Sequence, residues 1–170
     1  MPVGLGVDIV EIERMERVLA RTSSFVSKVF TDEERAYCES KGNAAARFAA
    51  RFAAKEAVCK ALGTGILAYG IGMKDVEVSH DRRGKPVAVL HGRAAELAQE
   101  QGIMDIPLSI SYTHAVVVAN AVAITKAAEE DKERRRDVKA ELASRFKEAR
   151  SMLDELGSET AEAIEGCDRA

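Results

Sequence analysis

No apolar run in the sequence approaches the ~18 residues a bilayer-spanning helix needs, so no membrane role is expected. Met1-Pro2-Val3-Gly4 lacks the basic region that opens a secretory signal. Cysteine is scarce: Cys38, Cys59 and Cys167 are odd in number, far apart, and form no CxxC pair. That argues against a disulfide or zinc framework and makes a reducing cytoplasm the expected location. Net charge is small too, −3 from 25 basic and 28 acidic residues, which gives no general attraction to nucleic acid. Internal repeats are absent, and neither a Ser/His/Asp nor a Cys/His constellation is evident. What remains is a chain of 170 residues, 46% hydrophobic and 31% charged. That is enough for one α+β domain with a buried core.

The charge is unevenly placed. Residues 1–125 balance 15 Lys/Arg against 15 Asp/Glu, whereas residues 126–170 carry 10 and 13. The break sets a boundary near Thr125, between a domain over 1–125 and a charged helical C-terminal extension over 126–170. Glu129 to Leu156 is rich in helix formers and free of proline, with a thin apolar seam at Leu142, Phe146, Ala149, Leu153 and Leu156. The spacing fits a coiled-coil-like stripe. It leaves open a helix packed on the body, on itself, or solvated. Fraying is expected after Gly157.

Within 1–125, Val3 to Val10 predicts a strand that is apolar at Val3, Leu5, Val7 and Ile9, with Gly4 and Gly6 between them. Glu11 to Arg21 predicts a helix with Ile12, Met15, Val18 and Leu19 on one face and Arg14, Arg17 and Arg21 on another. Thr31 three residues before Glu34 is a capping box opening a short helix to about Ser40. Asn43 to Leu62 is alanine-rich, free of Pro and Gly, and closed by Gly63. Met73–Ser79 and Pro86–Leu90 predict two strands joined by the polar turn 81–85. Gly92 to Gln101 predicts a helix stopped by Gly102. Leu108–Tyr112 and Val116–Thr125 predict a hairpin through Thr113-His114-Ala115. This order gives α+β rather than a parallel βαβ array.

Two carboxylates fall where burial is expected. Asp8 interrupts an apolar strand, where a charge is costly unless paired or metal-bound. Glu56 and Lys60 are four apart on the long helix and share one face. Two converging carboxylates, with water and phosphate oxygens, suit Mg²⁺. On spacing alone a strand-end Asp serving a turn or cap and a surface Glu–Lys ion pair are the more ordinary readings. Gly63-Thr64-Gly65 is a turn that can cap the helix or approach phosphate, and Gly84-Lys85-Pro86 is locally a turn. His80 and His91 are read as lone surface residues, His114 as a hairpin tip, and Cys59 as a small core residue.

Gly6-Val7-Asp8, followed some fifty residues on by Phe52-Ala53-Ala54-Lys55-Glu56-Ala57-Val58-Cys59-Lys60, resembles the two-part signature of phosphopantetheinyl transferases. Gly4–Glu11, Arg51–Ala57, Lys60-Ala61-Leu62-Gly63-Thr64-Gly65 and Gly84-Lys85-Pro86 narrow the likeness to the bacterial holo-acyl-carrier-protein synthases, over roughly residues 3–125. The resemblance implies that family's fold, a small antiparallel sheet packed with a long central helix. It implies Mg²⁺-dependent transfer of 4′-phosphopantetheine from coenzyme A to a serine of apo acyl carrier protein, releasing adenosine 3′,5′-bisphosphate. By the same resemblance Asp8 and Glu56 are metal ligands and Lys60 contacts phosphate or assists proton transfer. Arg51, Lys60, Gly63, Thr64, Gly65, Gly84, Lys85, Pro86, Ser111, Tyr112 and Thr113 line the coenzyme A site. The resemblance places the first helix, with an arginine at the position of Arg14, against the acidic carrier. The stripe Arg14, Arg17 and Arg21 is therefore the expected docking face, and the implied assembly is a homotrimer with sites between subunits. Two departures stand out: Tyr112 replaces a histidine common in relatives, and the segment beyond Thr125 has no counterpart in the usual short enzyme.

Overall fold

A computed structural model describes residues 3–40 and 42–167, with side chains for residues 4–40 and 42–151. It divides into two compact units, Met1–Ala128 and Glu129–Ala170.

In the first unit, β1 (Val3–Glu11) leads into α1 (Ile12–Arg21), α2 (Ser23–Val29), α3 (Asp32–Glu39) and α4 (Ala44–Ala61). The hairpin β2 (Val76–His80) and β3 (Pro86–Leu90) follows, then α5 (Gly92–Glu100), β4 (Ile103–Asp105), β5 (Leu108–Tyr112) and β6 (Val116–Thr125). Long β6 is the sheet's central strand. It pairs antiparallel with β1 along one edge, and with β4 and β5 along the other.

The glycines of β1 explain how α4 reaches this sheet. A Cβ on Gly4 would collide with the Ala61 carbonyl, and one on Gly6 with the Ala57 carbonyl. Ala53, Ala54, Ala57 and Ala61 are buried on the helix side. Small residues on both partners let backbone meet backbone, which sets α4 beside Asp8.

Asn43 caps α4 by accepting from the Ala46 N–H at 3.1 Å. At the other end Gly63 has φ 76°. The Gly63 N–H donates to the Lys60 carbonyl at 3.0 Å and the Thr64 N–H to the Cys59 carbonyl at 2.9 Å. This is a Schellman closure. A buried ion pair fixes the middle of the helix. Lys55 Nζ lies 2.7 Å from Glu34 Oε2, both side chains essentially inaccessible, and donates to the carbonyls of Val29, Met73 and Val76. Glu34 also accepts from the Thr31 and Val78 N–H groups, so its capping box doubles as a clamp between α3, α4 and β2. Burial pushes the Lys55 pKa down, against the opposing pull of Glu34.

Several sequence expectations are corrected. Residues 23–29 form α2 and residues 103–105 form β4, neither of which the pattern reveals. The second strand starts at Val76 rather than Met73, because the Asp75 N–H turns back onto the Gly72 carbonyl. His80 is half-buried rather than a lone surface residue.

The described residues of the second unit all lie in one long helix, α6 (Lys126–Cys167). It starts before the expected Glu129 and runs through Gly157, where fraying was expected: one glycine costs about 1 kcal/mol, which flanking helix formers outweigh. Val138, Leu142 and Phe146 are exposed. The Leu153 and Leu156 side chains of the expected seam lie outside the described residues. Among the described residues no helix is long and apolar enough to cross a membrane.

Candidate active site

Two chemically distinct clusters stand on α4. The first is acidic and sits where β1 meets the helix. Strand alternation turns Asp8 to the α4 side with Gly4 and Gly6. Its carboxylate meets Lys60, whose Nζ lies 2.8 Å from Asp8 Oδ1 and donates to the Val7 carbonyl at 3.0 Å. Lys60 thus pairs across to the strand, where spacing alone allowed a pair with Glu56. Glu56 stands one turn before Lys60. Its pKa is raised, first by burial and then by the Asp8 charge, with Lys60 opposing. Two carboxylates whose charges repel, with a backbone carbonyl alongside, form a hard-oxygen donor set. Mg²⁺ fits such a set when waters and substrate phosphates complete the shell. Among the described residues no three His, Cys, Asp or Glu side chains converge, so the protein alone offers a two-carboxylate site.

Gly63, Thr64 and Gly65 follow this cluster. The Schellman closure engages the Gly63 and Thr64 amides, and the Thr64 hydroxyl also donates to the Cys59 carbonyl, at 3.0 Å. The turn ends the helix firmly, and those two amides point back into it.

The second cluster is basic and aromatic. A cavity of about 320 Å³ is lined by Tyr37, Arg47, Arg51, His80, Gly84, Pro86, Ile110 and Tyr112, among others. It brings together Arg51, Gly84, Pro86 and Tyr112 from three separate parts of the sequence. Gly84, at φ 81°, belongs to a turn pinned by Asp81, which accepts from the Arg83 and Lys85 N–H groups. Lys85 is exposed. Ser111 lies on the opposite face of β5 from Tyr112 by strand alternation. Thr113 closes the hairpin, accepting from the Ala115 and Val116 N–H groups. His114 is exposed beside it.

Tyr37 and His80 were not legible as site residues. Their rings stack at 4.5 Å, and the Arg51 guanidinium lies 4.1 Å from the Tyr37 centroid. No local pattern links residues of α3, α4 and β2; only the fold does.

Arg51 and Lys60 are nine residues apart on α4, about two and a half turns, so they project from opposite faces of one helix. Arg14, Arg17 and Arg21 line the exposed side of α1, with Arg17 paired to Glu13, while Ile12 and Met15 are buried.

Comparison with known proteins gives the family. Residues 4–117 match the family model of the 4′-phosphopantetheinyl transferase superfamily. A holo-[acyl-carrier-protein] synthase of Alkalilimnicola ehrlichii is 53% identical over 120 residues, 68% of this chain and 93% of that protein. The Neisseria meningitidis holo-[acyl-carrier-protein] synthase structure superposes with a TM-score of 0.64 at 36% identity, over 71% of this chain and 96% of that one. A Bacillus anthracis holo-(acyl-carrier-protein) synthase in complex with CoA (3′,5′-ADP) gives 0.61 at 33% identity, over 74% and 100%. The chain belongs to the 4′-phosphopantetheinyl transferase superfamily and, within it, to the holo-[acyl-carrier-protein] synthases.

Proposed function

We propose that this chain transfers the 4′-phosphopantetheine arm of coenzyme A to a serine of apo acyl carrier protein, releasing adenosine 3′,5′-bisphosphate. The observation that carries the reading is the convergence of Asp8, Glu56 and Lys60 within the matched region. Asp8 and Glu56 would hold Mg²⁺, which supplies charge neutralisation on the pyrophosphate as its β-phosphorus is attacked. Lys60, 43% exposed at its side chain, is open to a phosphate oxygen while it stays paired with Asp8. Arg51, with Gly84, Pro86 and Tyr112, receives the nucleotide end.

A single coenzyme A cannot readily meet both clusters in one chain, because Arg51 and Lys60 project from opposite faces of α4. A site shared between subunits of a homotrimer resolves this: one subunit offers the carboxylates and its neighbour the basic cavity. The sheet supports such an assembly. On its face away from α4, Leu5, Val7 and Ile9 are exposed. Their cross-strand partners Val122, Asn120 and Val118 share that face. An apolar surface of this kind is what subunits bury.

Carrier docking falls to Arg14, Arg17 and Arg21, because a chain of net charge −3 needs a local basic stripe to attract an acidic partner. The test is direct. Purified chain, coenzyme A, Mg²⁺ and apo acyl carrier protein should add one phosphopantetheine to the carrier by mass. A carrier of unchanged mass would refute the assignment.

A further inference from the structure

We propose that Tyr37 is a positioning residue for coenzyme A: its ring holds the Arg51 guanidinium where an anionic oxygen of the substrate meets it. The inference rests on the reading above that coenzyme A is the substrate.

Arg51 is only 3% exposed, and among the described residues it makes no ion pair. Its Nη2 lies 3.5 Å from His80 Nδ1, and its Nε is buried with no hydrogen-bond partner. A buried cation left unpaired is costly, and the ring face under it offsets only part of that cost. What the arrangement lacks is an anion, and the cavity beside Arg51 is where one enters.

A second cation lies over the same ring. Arg47, one helical turn before Arg51, lies 5.7 Å from the same Tyr37 centroid, and its Nη1 is likewise buried and unpartnered. Two like charges on one helix face repel. Both guanidiniums lie over the Tyr37 ring, and a bound anion would satisfy both. The ring is itself held from β2, stacked on His80 with 17° between the planes. Losing the ring therefore loosens both guanidiniums without removing either charge.

The measurement is coenzyme A binding by calorimetry, together with kcat and both KM values, on full-length Tyr37→Phe, Tyr37→Leu, Arg51→Gln and Tyr37→Leu/Arg51→Gln. Tyr37→Phe keeps the ring face and should bind within about twofold of wild type. Tyr37→Leu should weaken coenzyme A about tenfold in both Kd and KM, with kcat and carrier KM unchanged. In the Arg51→Gln background Tyr37→Leu should cost much less, because the residue it positions is gone. Equal loss in both backgrounds, loss of kcat and carrier KM together, or unchanged coenzyme A binding in Tyr37→Leu would each overturn the proposal. Wild type that binds no coenzyme A would instead overturn the substrate reading beneath it.

Discussion

The Lys60 ammonium lies 2.8 Å from Asp8 Oδ1 across 52 residues of sequence, closing the junction of β1 and α4 on a charge pair. Because Gly4 and Gly6 bring the backbones together beside it, this pair sits at the point of closest strand–helix approach. The carboxylate pair is therefore built on rigid elements rather than on a loop.

Asp8→Ala and Glu56→Ala each remove a carboxylate from that junction without touching a core side chain. Each should lower kcat/KM by at least about a hundredfold while circular dichroism and Tm stay near wild type. EDTA should abolish wild-type transfer and added Mg²⁺ restore it. Full activity in EDTA would remove the metal from the account.

Gly6→Ala puts a methyl group against the Ala57 carbonyl and the Ala61 amide. Neither is the end of a flexible side chain, so helix and strand must separate. Overpacking of this kind costs about 1–3 kcal/mol. Denaturant unfolding should place this variant at or above the top of that range, and a loss under about 0.5 kcal/mol would mean the interface yields easily.

Lys55→Ala should destabilise the domain by about 3–5 kcal/mol, since it leaves Glu34 buried without its cation. Replacing both partners, as Lys55→Met with Glu34→Leu, should recover part of that loss, although the Val78 and Thr31 amides lose their acceptor. Equal stability of single and double variants would show that the charge left unpaired is not what matters.

The buried thiols give a pH dependence. Burial raises Cys38 and Cys59 from an ordinary 9.0 to about 11 each. In the folded chain the neutral thiol persists above the pH at which the unfolded chain ionises. Stability from this source is complete below about pH 9 and is lost as pH rises through about 11. In a Cys167→Ser background, alkylation of the native chain should stay slow from pH 7 to 9, and unfolding midpoints should fall above pH 9. Rapid labelling at pH 8 would contradict it.

How much of this was legible in sequence follows from range. Asn43, the alanine run and Gly63 delimited α4 because caps and breakers act within a few residues. Asp8, Glu56 and Lys60 were legible because their motifs are contiguous. By contrast α2 has no side-chain cap and β4 is three residues long, too short for periodicity to register. The Tyr37–Arg51–His80 cluster and the second role of Glu34 depend on contacts between separate elements, which no local pattern encodes.

Carrier docking predicts a salt-sensitive phenotype. Arg14→Glu should raise carrier KM and flatten the ionic-strength dependence of the rate, with coenzyme A KM nearly unchanged. Reversing Arg14, Arg17 and Arg21 together should do more. Unchanged carrier KM in the triple variant would move the docking face elsewhere.

The account's central claim is a transfer reaction run at a site assembled from the carboxylates of one subunit and the basic cavity of its neighbour. Subunit mixing tests it most directly. Asp8→Ala and Arg51→Gln, each strongly impaired alone, are unfolded and refolded together in equal amounts, then assayed by carrier mass with coenzyme A and Mg²⁺. Random assembly pairs an intact carboxylate cluster with an intact cavity at about a quarter of the sites, so the mixture should recover about a quarter of wild-type activity. A mixture as inactive as its components, beside active refolded wild type, would contradict the shared site.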